Sequence, residues 1–113
     1  MGQHKPPSLG RRWAPRVALF ALLQWRTEVA IMAEFMDVHR GMAGLTMDDL
    51  KAVHEADLAI QGDEGVVFKH AWADPESGFV YCLSEAPDAE AVERIHQRAG
   101  HPADEIHAVP LVV

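Results

Sequence analysis

The chain has 113 residues, 49% of them hydrophobic and 24% charged, and a formal net charge of −7. This is one small domain of ordinary globular composition, which excludes a fully disordered chain and leaves no room for two ordinary domains. No apolar run approaches the roughly 18 residues that span a bilayer. The lone cysteine, Cys82, excludes a disulfide framework and any multi-cysteine metal site within one chain, and suits a reducing, cytoplasmic setting.

The charge is unevenly placed. Residues 1–31 carry Lys5, Arg11, Arg12, Arg16 and Arg26 against Glu28 alone, whereas residues 32–113 carry five Lys/Arg against sixteen Asp/Glu. The acidic body repels phosphate backbones and anionic lipid and attracts cations, so neither nucleic acid nor membrane is an expected partner. The first 31 residues read as an appendix. Pro6, Pro7 and Gly10 open it, and the apolar stretch Val17–Leu23 is short for a signal segment and lacks a following A-x-A site. Met32 begins MAEFMDVH, which reads as a natural start. Codons for Glu28-Val29 can also spell a ribosome-binding sequence just ahead of it. Residues 1–31 are therefore expected to be a disordered tail or translated upstream sequence, contributing little to the core, with the domain proper at 32–113.

In chain order, Ala33–His39 reads as a strand with Phe35, Asp37 and His39 on one face and Met36 and Val38 on the other. Gly41 and Gly44 mark a loop. Thr46 is a suitable N-cap, with Asp48 and Asp49 in the first turn of a helix that runs to about Ile60. Leu50, Val53, Asp57, Leu58 and Ile60 are expected to face inward, and Gly62 and Gly65 end the helix. Val66–Ala73 is a second strand, 74–78 a hairpin loop and Phe79–Ser84 a third strand. Asp88 opens a second helix to about Ala99. Glu105–Val109 is a fourth strand, and Leu111–Val113 a candidate edge piece beyond Pro110. The order βαββαβ specifies an α+β, ferredoxin-like sandwich: an antiparallel sheet with two helices on one face. Alternation places Phe79, Tyr81 and Leu83 on the open sheet face, with Phe68 and Trp72 expected beside them. Such an apolar face implies a sheet-to-sheet homodimer.

Six of the seven histidines lie in the acidic body. His54 and His96 each fall eight residues after a helix cap. His54 has Asp57 at i+3, His96 has Glu93 at i−3, and His101 follows the second helix. Residues three apart share a helix face, so each helix can offer an N/O pair to one cation. The candidate metal ligands are His39, His54, Asp57, His96 and His101. Imidazole with carboxylate suits Ni²⁺, Zn²⁺, Co²⁺ or Cu²⁺, and no zinc-signature spacing chooses among them. Substitution of His54 or His96 is expected to weaken metal binding, and substitution of His107 to change little. Cys82 reads as a buried, unreactive thiol.

The stretches EFMDVHRGMAGLT, EGVVFKHAW, YCLSEAPDAEAVERIHQRAGHPADEI and VPLVV resemble the small actinobacterial nickel-binding proteins. These are part of a broader family long catalogued as a domain of unknown function. The resemblance covers residues 32–113, and the corner AGHPADEI with the preceding EAPDAEAV is its most telling part. It implies a ferredoxin-like homodimer that binds nickel at its surface and serves nickel sequestration or tolerance. The ligand assignment above comes from spacing alone. A cofactor-free enzyme of the dimeric α/β-barrel kind, monooxygenase- or isomerase-like, is the competing class, with His39, Tyr81 and His70 as its acid–base candidates. A closed apolar pocket holding a perturbed histidine would favour it; His–carboxylate clusters at the surface would favour metal storage. A protein-interaction module is a third class that nothing in the sequence selects.

Overall fold

A computed structural model describes residues 32–113; the extension expected at 1–31 lies outside the described residues. The elements are β1 (Ala33–His39), α1 (Met47–Ile60), a 3₁₀ turn (Gln61–Glu64), β2 (Val67–Asp74), β3 (Phe79–Ala86), α2 (Ala89–Arg98) and β4 (Glu105–Ala108). The strands form one antiparallel sheet in the order β2-β3-β1-β4, the ferredoxin-like arrangement expected from the βαββαβ order. No helix among the described residues is long and apolar enough to cross a membrane.

Local chemistry sets the helix ends. Thr46 accepts from the Asp49 backbone N–H while the Asp49 carboxylate accepts from the Thr46 N–H, a reciprocal capping box. The Asp88 carboxylate caps α2 through the Ala91 N–H at 2.8 Å. The two helices then bury very different faces. α2 buries Ala91, Val92, Ile95 and His96 and packs with Phe35, Val66, Phe68 and Ala86 into the main core. α1 buries only Asp57 completely; Leu58, expected inside, is exposed on the far flank.

Two further expectations are corrected. Phe68 is not on the open face. β2 slips in register against β3 between Phe68 and His70, so Lys69 is an extra residue that reverses the alternation on either side of it. Phe68 therefore points with Ser84 under the helices, 5% exposed, while Trp72 opposite Tyr81 is left 48% exposed on the open face. Leu111–Val113 makes no strand and is exposed, because Pro110 has no N–H with which to continue the ladder.

The β1–α1 loop is docked on the β2–β3 hairpin: the Met42 N–H donates to the Gly78 carbonyl and the Gly44 N–H to the Pro75 carbonyl, both at 2.9 Å. Gly78 has φ +80°, and a Cβ there would lie 2.7 Å from the Ala43 nitrogen. Gly78→Ala should therefore destabilise the fold by more than about 1 kcal/mol, whereas Gly62→Ala, where a Cβ meets nothing within 4 Å, should be close to neutral. Thermal unfolding of the two variants side by side checks this.

Candidate metal centre

Five ionisable side chains and one thiol converge beneath the helices, each delivered by its element's geometry. Alternation along β1 turns Asp37 and His39 inward with Phe35. Cys82 is the register partner of Asp37 on β3. Asp57 is the inward residue of α1, and His96 lies in the last turn of α2 beside Ile95. Gly100, at φ +90°, then reverses the chain, a conformation glycine adopts without strain. His101 thereby folds back over the end of its own helix, its N–H donating to the His96 carbonyl at 3.0 Å.

His96 occupies the middle. Its Nδ1 lies 3.1 Å from Asp57 Oδ1 and its Nε2 lies 2.7 Å from Asp37 Oδ2. The first contact is a hydrogen bond; the second is off the N–H axis, so Nε2 has a close carboxylate but no directed bond. His39 faces Asp37 Oδ2 through Nε2 at 2.7 Å and the Pro102 carbonyl through Nδ1 at 3.1 Å. His101 Nε2 sits 2.9 and 3.0 Å from the two Asp57 oxygens. Asp37, Asp57 and His96 are fully buried, and His39 is nearly so. His101, with its side chain 12% exposed, is the partly open member.

The electrostatics follow from this burial. Burial alone pushes His96 toward its neutral form, but the Asp37 and Asp57 carboxylates held against its two ring nitrogens outweigh it and raise its pKa to about 9. Burial likewise opposes ionisation of Asp37 and Asp57, yet the imidazoles against each carboxylate leave both below the usual value of 3.8. Cys82 goes the other way. Burial and the negative fields of Asp37 and Asp57 push its thiol well up, so without a cation it stays protonated.

The donor set suits a metal ion. One donor atom each from Asp37, His39, Cys82 and His96, and one each from Asp57, His96 and His101, form two groups whose atoms lie within 4.8 Å of one another. Both ring nitrogens of His39 and of His96 face acceptors. A neutral imidazole has only one N–H, so each ring needs a second proton or a cation to satisfy both sides. Asp37 Oδ1 is buried with no hydrogen-bond partner at all.

Of the five ligands expected from spacing, His39, Asp57, His96 and His101 come together. His54 stands apart, in a groove of about 170 Å³ with Met47, Leu50, Lys51 and Ala71. The expected i, i+3 pairing of His54 with Asp57 is not made; Asp57 turns instead to the histidines that follow from the second half of the chain. Asp37 and Cys82 are the members that spacing left out. Asp37 could have been found from its place two residues before His39 on one strand face, and Cys82 only from the strand register. The competing acid–base set is divided: His39 lies under the helices, while Tyr81 and His70 are on the open face. A second groove of about 190 Å³, lined by Glu90, Glu93 and residues 103–106, does not reach the centre either.

The pKa directions fix how the metal-free protein responds to pH. Protonated His96, raised above its ordinary 6.5, contributes its full stability below that value and loses it as pH rises through about 9. Asp37 and Asp57, both lowered, contribute fully above 3.8 and lose that contribution as pH falls further. The melting temperature of the chelator-treated chain should peak between about pH 4 and 6.5 and fall toward pH 9. A curve still rising from pH 6.5 to 9 would contradict the assignment.

Comparisons with known proteins identify the family. No curated protein matches the chain. The crystal structure of SCO4226 from Streptomyces coelicolor A3(2) is similar to it at 65% sequence identity and a TM-score of 0.71, over 72% of this chain and all of that one. A family model described as "Nickel responsive protein SCO4226-like" matches residues 35–109, which reach from Phe35 in the core past all six residues of the centre. The chain belongs to the nickel-responsive SCO4226-like family.

Proposed function

We propose that this protein is a cytoplasmic nickel-binding protein that sequesters the ion and confers nickel tolerance, and that it acts as a homodimer. The observation that carries the reading is the group formed by Asp57, His96 Nδ1 and His101 Nε2, which opens to solvent at His101. Three nitrogen and oxygen donors suit a borderline divalent ion such as nickel, and water completes a six-coordinate shell on the open side. The acidic body raises the local concentration of cations around that opening. Asp37 positions the shared imidazole from its other side. Zinc, cobalt and copper are the competitors for the same donors.

Nickel titration calorimetry on the metal-free chain tests the ligand set. His101→Ala should remove one equivalent of nickel or weaken it at least tenfold, because it takes one of three protein donors and leaves the core intact. His54→Ala and His107→Ala should bind like wild type, since His54 lies in another groove and His107 pairs with Glu105 on the surface. Undiminished nickel binding in the His101→Ala chain would contradict the reading.

What supports the homodimer is the open sheet face, where Trp72, Phe79, Tyr81 and Leu83 are left incompletely covered. Lys69 closes one end of that face, bridging Glu85 at 2.6 Å and Glu34 at 3.6 Å. Burying large apolar side chains is worth roughly 1.5–3 kcal/mol each, on the scale needed for an interface of about 800 Å² per partner. Sedimentation should give a dimer for wild type and a monomer for Tyr81→Asp; a wild-type monomer at micromolar concentration would contradict the assembly.

A further inference from the structure

The inner half of the centre is built differently from the outer half. Asp37, His39, Cys82 and His96 each place a donor atom within 4.8 Å of the others, and none of the four residues is more than 3% exposed. They come from three elements: β1 gives Asp37 and His39, β3 gives Cys82 directly across from Asp37, and α2 gives His96. Both imidazoles are anchored by Nδ1, one to the Pro102 carbonyl and one to the Asp57 carboxylate. Both Nε2 atoms consequently converge on Asp37 Oδ2, at 2.7 Å each. Metal-binding histidines are oriented in this way, with the far nitrogen held by a carbonyl or carboxylate. Two of the atoms facing this group, Asp37 Oδ1 and His96 Nε2, are buried without a hydrogen-bond partner.

The geometry points to a second, closed ion site at Asp37, His39, Cys82 and His96 Nε2 that takes a four-coordinate divalent ion of the zinc or cobalt class. This deepens the reading of the centre as metal-binding and adds an inner ion to the outer nickel. Four buried protein donors, one of them sulfur, complete a tetrahedral shell with no need for water. The outer group has three nitrogen and oxygen donors, no sulfur and an open side. The two groups therefore select different ions from one pool, and His96 serves both, Nε2 inward and Nδ1 outward. On loading, Cys82 gives its thiol proton and His96 its Nε2 proton to solvent, and the freed lone pairs go to the ion. With the outer ion also bound, His96 releases its Nδ1 proton as well and bridges the two ions as an imidazolate, and no oxidation state changes.

Cobalt reports coordination number and sulfur ligation together. The full chain, freed of metal by chelation and kept reduced, is titrated with Co²⁺ alone and followed by absorption spectroscopy. One equivalent should produce the intense visible bands of four-coordinate cobalt and a near-ultraviolet thiolate-to-cobalt band. Cys82→Ser should abolish the thiolate band, and His101→Ala should leave both signals. The chain has one cysteine, so the band has no other source within it. Weak six-coordinate absorption with no thiolate band would overturn the inner site, and the wild-type spectrum decides that whether or not Cys82→Ser folds. Such a result would leave outer nickel binding standing. A thiolate band together with nickel binding that His101→Ala does not reduce would support the inner site and contradict the outer reading.

Discussion

The buried chain of contacts Asp57–His96–Asp37 is the constraint on which the rest of this domain depends. Each of the three side chains is fully buried, and each comes from a different element, α1, α2 and β1. Taking a charge out of water is costly unless it is paired, and removing one partner from a buried pair costs about 3–5 kcal/mol because the other charge is left uncompensated. The dependence is greatest for α1. Its only fully buried residue is Asp57, which bonds His96 on α2 and His101 just beyond it, so α1 is tied to the second helix and its following corner by charge and hydrogen bonding. α2, with Val92 and Ile95 in the main core, is held independently. The centre is thus a structural joint whose donor atoms could also hold a cation, and a cation entering it would replace protons that the joint already uses.

The same joint organises the residues that follow α2. His101 is held over Asp57 by the reversal at Gly100, and the next residue, Pro102, turns its carbonyl onto His39. The Asp104 N–H then donates to the Val38 carbonyl at 2.8 Å, and the Arg40 N–H to the Asp104 carboxylate at 2.7 Å. One corner of five residues therefore places an imidazole, a carbonyl and a carboxylate against the end of β1. This is the physical content of the AGHPADEI stretch, in which glycine supplies the left-handed turn and proline stiffens the segment that follows.

Much of the fold was legible in the sequence because each element carries its own local signal. The Thr46 and Asp88 caps, the glycines at 62, 65, 78 and 100 and the alternation in β1 and β3 place every element to within a residue or two. What failed was what local signals do not encode. The bulge at Lys69 inverts the face of Phe68, and a strict two-residue period has no means of announcing an inserted residue. Leu58 sits at a helical position that the thin packing of α1 leaves outside. The site was half legible for the same reason. Spacing along each helix taken by itself found Asp57, His96 and His101 as candidates but paired Asp57 with His54. The actual partners approach from sequence separations of 39 and 44 residues, which only the fold brings together. Asp37 was visible as the same-face neighbour of His39; Cys82 required the β1–β3 register.

The account divides one buried cluster into an outer group open to solvent at His101 and an inner group closed around Cys82. Crystals of the metal-free chain soaked in Ni²⁺ and measured on either side of the nickel absorption edge test this most directly. The account predicts an anomalous peak bounded by Asp57, His96 Nδ1 and His101 Nε2. Nickel peaks confined to other surface carboxylates and histidines, with His101 still bonded to both oxygens of Asp57, would contradict it.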